Sequence, residues 1–205
     1  MELNTYPLVC TRGVVLYPNQ EIVIDVGRDT SVHAVENAQD NYDKKICLFS
    51  QKELEKENPG KEDIYPVGTL CEVRHIRRFD NFLRVKFRGI KRVKLNNWIN
   101  GSLSDLAEVE ILESEKQDAV EEEALIRMIA DELDRMQGQD RFVTKEIVME
   151  ISKGMGGEFL SDKAVQGLPL DIERKQQYLE TLGVNDRLMT VSYTHLRAHE
   201  TVLDL

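Results

Sequence analysis

"LRVKFRGIKRVKL", Leu83–Leu95, is the stretch on which the fold turns. Leu83, Val85 and Phe87 alternate with Arg84, Lys86 and Arg88, the period-two pattern of a strand with one buried face. Gly89 breaks the phase. Ile90 falls on the other parity before Val93 and Leu95 resume the apolar positions, so a β-bulge is expected at Gly89. Upstream, the apolar run from Tyr65 to Ile76 reads as the antiparallel partner, joined through a turn at Asp80-Asn81.

Outward from this hairpin the first 112 residues read as β-rich. Thr5 to Cys10, Val14 to Leu16 and Glu21 to Val26 are short apolar runs separated by turn residues. "EIVIDV" alternates as a half-buried strand does. From Gly27 the spacing becomes helical, with Asp29 or Thr30 as cap and Val32, Val35, Ala38 and Gln39 in repeat. "KKICLFSQ", Lys44–Gln51, is a buried-strand candidate, Lys52–Asp63 a charged loop with a Pro-Gly turn, and Leu103–Leu112 one more strand. One helix among six or seven short strands predicts a small, curled, mostly antiparallel sheet or open barrel.

From Ser114 the period is helical. Ser114 to Gln117 fits an S-x-x-Q capping box. The next helix would bury Leu125, Met128, Ile129, Leu133 and Met136 and end near Gly138. A second is expected after Thr144, with Ile147, Val148, Ile151 and Met155, stopping at Gly156-Gly157. Shorter helices follow over Ser161–Gln166 and Asp171–Leu182, and another starts at "VNDRLMT". The expectation is an α+β chain: a β-rich lobe over residues 1–112, then a helical bundle over 113–190. Charge changes at the same place, with 16 basic and 17 acidic side chains in 1–112 against 10 and 18 in 113–190.

No apolar run approaches the ~20 residues of a membrane helix. The start, MELNTYPLVC, lacks the basic region of a secretory signal. Cys10, Cys47 and Cys71 are odd in number and far apart, which favours a reducing, cytosolic compartment over a disulfide framework or zinc site. Residues 191–205 stand apart: Val191–Thr201 is similar to one reading frame of a sequencing-library adapter, so this tail is set aside as a cloning or assembly scar. Its His195 and His199, at i and i+4, could share a helix face as metal ligands do, but no third ligand is near apart from Glu200.

The chain lacks the usual catalytic patterns. There is no G-x-x-x-x-G-K-[ST]; the glycines at 154, 156 and 157 lack the lysine and follow a helix. There is no G-x-S-x-G. His33 and His75 are isolated, and Glu121–Glu123 and Asp131–Asp134 have the spacing of a solvated helix face. No catalytic, cofactor or metal residue is assigned. The run Arg74–Lys94 holds nine Lys or Arg and one acid, Asp80, with Phe79, Phe82 and Phe87 interleaved. It could pair phosphates and stack bases of single-stranded RNA. The competing reading is strand alternation that turns charge outward and protects an edge.

Read as an ordered set, these residues resemble the opening of the Lon proteases. The carriers are Val14, Val15, Pro18, Ile22, Val26, Gly27 and Arg28, then Lys44–Lys52, then Val67-Gly68-Thr69 leading to Gly89 and Arg92, and last "LPLDIERKQQYLETLGVNDRL", Leu168–Leu188. The family's usual L-P-L-R is replaced here by Y-P-L-V-C-T-R-G, with Arg12 keeping the basic position. The resemblance spans residues 5–190.

The resemblance implies a substrate-recognising N-terminal domain of a cytoplasmic, homohexameric, ATP-dependent serine protease. Its AAA+ module, using ATP and Mg, and its Ser-Lys dyad would lie outside this chain. It implies a β-rich lobe related to the PUA pseudo-barrel, joined to a helical lobe. Binding would be capture of apolar side chains on unfolded or damaged protein. Leu16, Tyr17 and Pro18, at a Pro-Asn turn, are the candidate exposed contacts; alternatively, Leu16 and Tyr17 are core. A stand-alone substrate-binding protein, an RNA-binding pseudo-barrel and, last, an enzyme in its own right are the other readings.

Overall fold

The computed structural model describes residues 3–135, 154, 156–165, 168 and 170–203. Its strands are β1 (Leu3–Thr11), β2 (Glu21–Val26), β3 (Lys45–Ser50), β4 (Val67–Arg78), β5 (Leu83–Ile99) and β6 (Leu106–Leu112). Its helices are α1 (Asp29–Asn41), α2 (Ala119–Arg135), α3 (Gly157–Ala164), α4 (Ile172–Glu180) and α5 (Val184–Leu203). The class is α+β. Two compact units form: residues 1–113 with 172–179, and residues 114–171 with 180–205.

In the first unit the strands run in the order β2-β5-β4-β3-β1-β6, and β6 also pairs with β5. Five strands, β5-β4-β3-β1-β6, therefore close a ring, and β2 hangs on the other half of β5. All pairings are antiparallel except β1 with β3. A closed ring removes its own strand edges, which an open curled sheet would expose.

The bulge is where the alternation places it. Leu70 pairs with Lys91 and Cys71 with Gly89, leaving Ile90 as the extra residue. The step reverses parity. Leu83, Val85 and Phe87 pack with α1 residues Ala34, Val35 and Ala38 in one core cluster. Val93 and Leu95 pack with Leu8, Phe49 and Val109 in the other. One strand thus serves two cores because one residue is inserted at its middle. A second step, between Val73 and His75, makes Arg74 extra in β4 and keeps Ile76 on the α1 side.

Several expectations are corrected. Val14–Leu16 forms no strand. The Val14 carbonyl instead accepts from the hydroxyls of Thr11 and Ser50, and the Leu16 carbonyl from that of Thr69, so side chains replace a ladder. Asp29 and Thr30 do not cap α1; Arg28 occupies the cap position without a side-chain bond. The helix expected over Asp171–Leu182 is α4, and its residues 172–179 belong with the sheet rather than with the remainder of 113–190. Gln176 Nε2 donates to the Val67 carbonyl at 2.8 Å, and buried Arg92 donates through Nε to the Leu179 carbonyl at 3.0 Å.

In the second unit α2, α3 and α5 pack on one another. Asp118, not Ser114, caps α2: its carboxylate accepts from the Val120 and Glu121 amides. Gln117 instead receives the Asn185 and Asp186 amides at the start of α5. Ser114 donates to Glu158. The residues of the box serve neighbouring helices because those helices begin beside them. The helix expected after Thr144, with Ile147, Val148, Ile151 and Met155, lies outside the described residues, as does Met136. Residues 191–203 continue α5, and Val191 and Ser192 are buried.

Candidate functional site

The Pro18-Asn19 turn is a type II turn. Asn19 has φ +62°, and the Gln20 amide donates to the Tyr17 carbonyl. It points inward. Leu16 and Tyr17 are 4 % and 3 % exposed, and Pro18 is buried. Tyr17 stands edge-on to Tyr178 with ring centroids 5.3 Å apart, and its hydroxyl donates to the Lys175 carbonyl at 3.0 Å. None of the three side chains is exposed: Tyr17 lies against α4, Leu16 packs in the core cluster with α1, and Pro18 lies beside Gly89. Tyr17 anchors α4 to the sheet.

Open space lies instead beside the start of α1. Three adjoining cavities of about 330, 440 and 210 Å³ share Arg28 in their walls and make one trough. Its first part lies between β1 and β2, walled by Val9, Val14, Ile24 and Val26. The middle holds Arg12, Asp29 and Glu57. The far end holds Trp98, Asp105 and the loop residues Asn58 and Pro59. The two larger volumes fall in the range of binding clefts.

Arg28 frames this trough. Its guanidinium donates to Gln51 Oε1 at 2.6 Å, to the Cys10 carbonyl at 3.4 Å and to the Lys56 carbonyl at 3.3 Å. Gln51, fully buried, donates onward to the Glu53 and Lys56 carbonyls. One side chain thus ties β1, β3 and the charged loop together. Arg28 and Gln51 carry the resemblance as bare letters in "VGR" and "SQK"; no spacing rule assigns them this role. Partial burial, and then Arg12 beside it, lower the Arg28 pKa.

Cys10 is the one thiol in the trough's lining. Burial pushes the Cys10 thiol up to about 12, with Arg28 opposing, so Cys10 is a neutral wall at physiological pH. Among the described residues no group of three or more His, Cys, Asp or Glu is placed to hold a metal. The side chains of His195 and His199 lie outside those described. Among the described residues no helix is long and apolar enough to cross a membrane.

The basic hairpin is largely charge-paired. Arg84 forms two bonds to Asp25, at 2.7 and 2.8 Å, and holds that carboxyl below its usual range. Lys86 pairs with Glu21 at 2.6 Å, Arg74 with Glu72 and Arg78 with Glu36. Phe79 and Phe82 stack on each other, with Arg77 and Arg84 over them. Phe87 is core. Four of the run's cations are thus paired with carboxylates, while Arg88 and Lys94 are exposed.

The similarities to known proteins agree with the architecture. The ATP-dependent protease La (LON) substrate-binding domain matches residues 5–194. The Lon protease of Buchnera aphidicola (strain APS) is 31 % identical over 188 residues, covering 91 % of this chain and 24 % of its own length. That of Syntrophomonas wolfei is 33 % identical over 191 residues, covering 91 % and 23 %. The chain thus spans about a quarter of the length of these relatives. Two solved structures share the fold. The N-terminal domain of Mycobacterium avium complex Lon protease has a TM-score of 0.75 at 17 % identity, covering 94 % of this chain and 98 % of that one. The Lon N-terminal domain protein from Xanthomonas campestris has a TM-score of 0.62 at 16 % identity, covering 92 % and 96 %. With the ring-closed sheet and its trough beside α1, the match over residues 5–194 means that the chain belongs to the Lon protease substrate-binding domain family.

Proposed function

We propose that this chain captures unfolded or damaged polypeptide segments for an ATP-dependent Lon-type protease, receiving their apolar side chains in the trough beside α1. The observation that carries this reading is the match to the substrate-binding domain over nearly the whole chain. The apolar walls of the β1–β2 part support it, since unfolded chains are told from folded ones by exposed apolar side chains. In the same reading, hydrolysis of ATP with Mg and cleavage by a Ser-Lys dyad belong to the longer protein, which assembles as a homohexamer in the cytoplasm. The first unit is a pseudo-barrel of PUA type and the second a helical bundle.

The test is titration of the purified chain against reduced, carboxymethylated α-lactalbumin and against the native, disulfide-bonded form. Saturable binding of the unfolded form alone is expected, with neither ATP binding nor peptide cleavage. Equal affinity for both forms, or tight ATP binding, overturns the proposal.

A further inference from the structure

We infer that the free edge of β2 takes up an extended segment of the unfolded chain as an added strand, laid in the slot between β2 and β1. This rests on the polypeptide-binding reading above and specifies its mode.

The edge is real and open. Among the described residues β2 has one strand partner, β5, so half of its backbone N–H and C=O groups point away from the sheet. The helix α1 packs on β1, β3 and β4, with no comparable contact to β2. Natural edge strands are blunted by Lys, Pro, bulges or unpaired charge. "EIVIDV" contains no Lys or Pro, and its pairing with β5 runs without a register shift. Its two carboxylates, Glu21 and Asp25, are bound by Lys86 and Arg84 across the ladder, and Val23 between them is 56 % exposed. Nothing in the strand repels a guest.

The slot selects the guest. Its walls are apolar at Val9, Val14, Ile24 and Val26; of the charged groups that also line it, Asp25 is paired with Arg84, Arg28 is tied to Gln51 and to the Cys10 and Lys56 carbonyls, and Arg12 is exposed. A segment that is extended, apolar and free of cations is complementary to such walls. The space of about 330 Å³ matches about two residues of a strand at ordinary strand and sheet spacings. The facing β1 edge is already engaged, since the Cys10 carbonyl accepts from Arg28 and the Leu8 amide donates to the Asp105 carbonyl. The guest's main-chain bonds therefore go to β2, on one of its two edges. Affinity comes from the backbone and preference from alternate side chains, which suits a binder that must accept many sequences.

The test uses the full chain and a fluorescein-labelled octapeptide of alternating Val and Thr. Two N-methylated forms each remove the N–H donors of one edge. One form is expected to bind at least tenfold more weakly and the other to match the parent peptide. The variant Val23→Lys, at an exposed position, is expected to weaken the parent peptide at least tenfold as well. If both methylated forms bind like the parent, or if both fail equally, one-edge strand addition is wrong. If carboxymethylated α-lactalbumin binds but neither methylation nor Val23→Lys changes peptide affinity, this inference falls while the proposed function stands. If neither the peptide nor the unfolded protein binds, both fall.

Discussion

Gly89 sits where no side chain fits. A Cβ there would lie 2.1 Å from the Tyr17 carbonyl oxygen and 3.2 Å from the Pro18 Cα. The close approach comes from two backbone bonds, Asn19 N–H to the Gly89 carbonyl and Gly89 N–H to the Gln20 carbonyl. Gly89→Ala must push β5 away from the Tyr17–Gln20 turn that is hydrogen-bonded to it, and a loss of about 3 kcal/mol or more is expected from urea unfolding. Gly156→Ala, whose Cβ would meet nothing within 4 Å, should cost no more than the roughly 1 kcal/mol of a poorer cap on α3. Tyr17 allows a second contrast. Tyr17→Phe removes the bond to the Lys175 carbonyl and should cost about 1 kcal/mol. Binding of an unfolded client should be unchanged. A fall in client affinity with stability preserved would instead make Tyr17 a binding residue.

At the scale of elements, strands and bulge were legible because alternation is a local record of which face is buried. Leu83 to Phe87 and Ile22 to Val26 read out their own geometry, and Gly89 announced the phase break. Closure of the ring was not legible. It depends on which residues of β6 meet the second half of β5, a pairing between segments whose separate patterns carry no register information. The Val14–Leu16 segment has strand composition, yet hydroxyls from three other positions satisfy its carbonyls. The capping box misled for a similar reason: Gln117 has more helix starts within reach than its own. The trough leaves no mark in the sequence because its walls come from β1, β2, α1 and the charged loop, and Arg28 joins them through contacts up to 28 residues apart. Tyr17 is covered by α4, a helix more than 150 residues away in the chain, and no local pattern around Tyr17 records that contact.

At the scale of the molecule, the three cysteines make one pH prediction. Burial raises the pKa of Cys10, Cys47 and Cys71 in the folded state, while unfolded thiols titrate near 8.5. Above that pH the unfolded chain releases protons that the folded chain retains, so stability falls as pH rises from about 9 to 12. The urea midpoint should drop over this window. The double variant Cys47→Ala and Cys71→Ala should flatten the slope. A midpoint independent of pH up to 11 would contradict it. A second prediction concerns α5. Ending the chain after Thr190 removes buried Val191 and Ser192, and the thermal midpoint should fall by about 4–8 °C. Ending it after Thr194, where the family match stops, should leave the midpoint nearly unchanged.

The membership of Ile172–Leu179 in the first unit also sets an order of events during synthesis. The six strands are complete once β6 has emerged, but Arg92, Tyr17 and the Val67 carbonyl still lack the helix that covers them. About 67 more residues must be made before Leu179 exists, roughly 3–13 s at ordinary translation rates. Throughout that interval the nascent barrel carries an unburied guanidinium and an open aromatic face, a window in which a holding chaperone has a surface to grip. Translation itself thus sets how long the newborn unit stays unfinished.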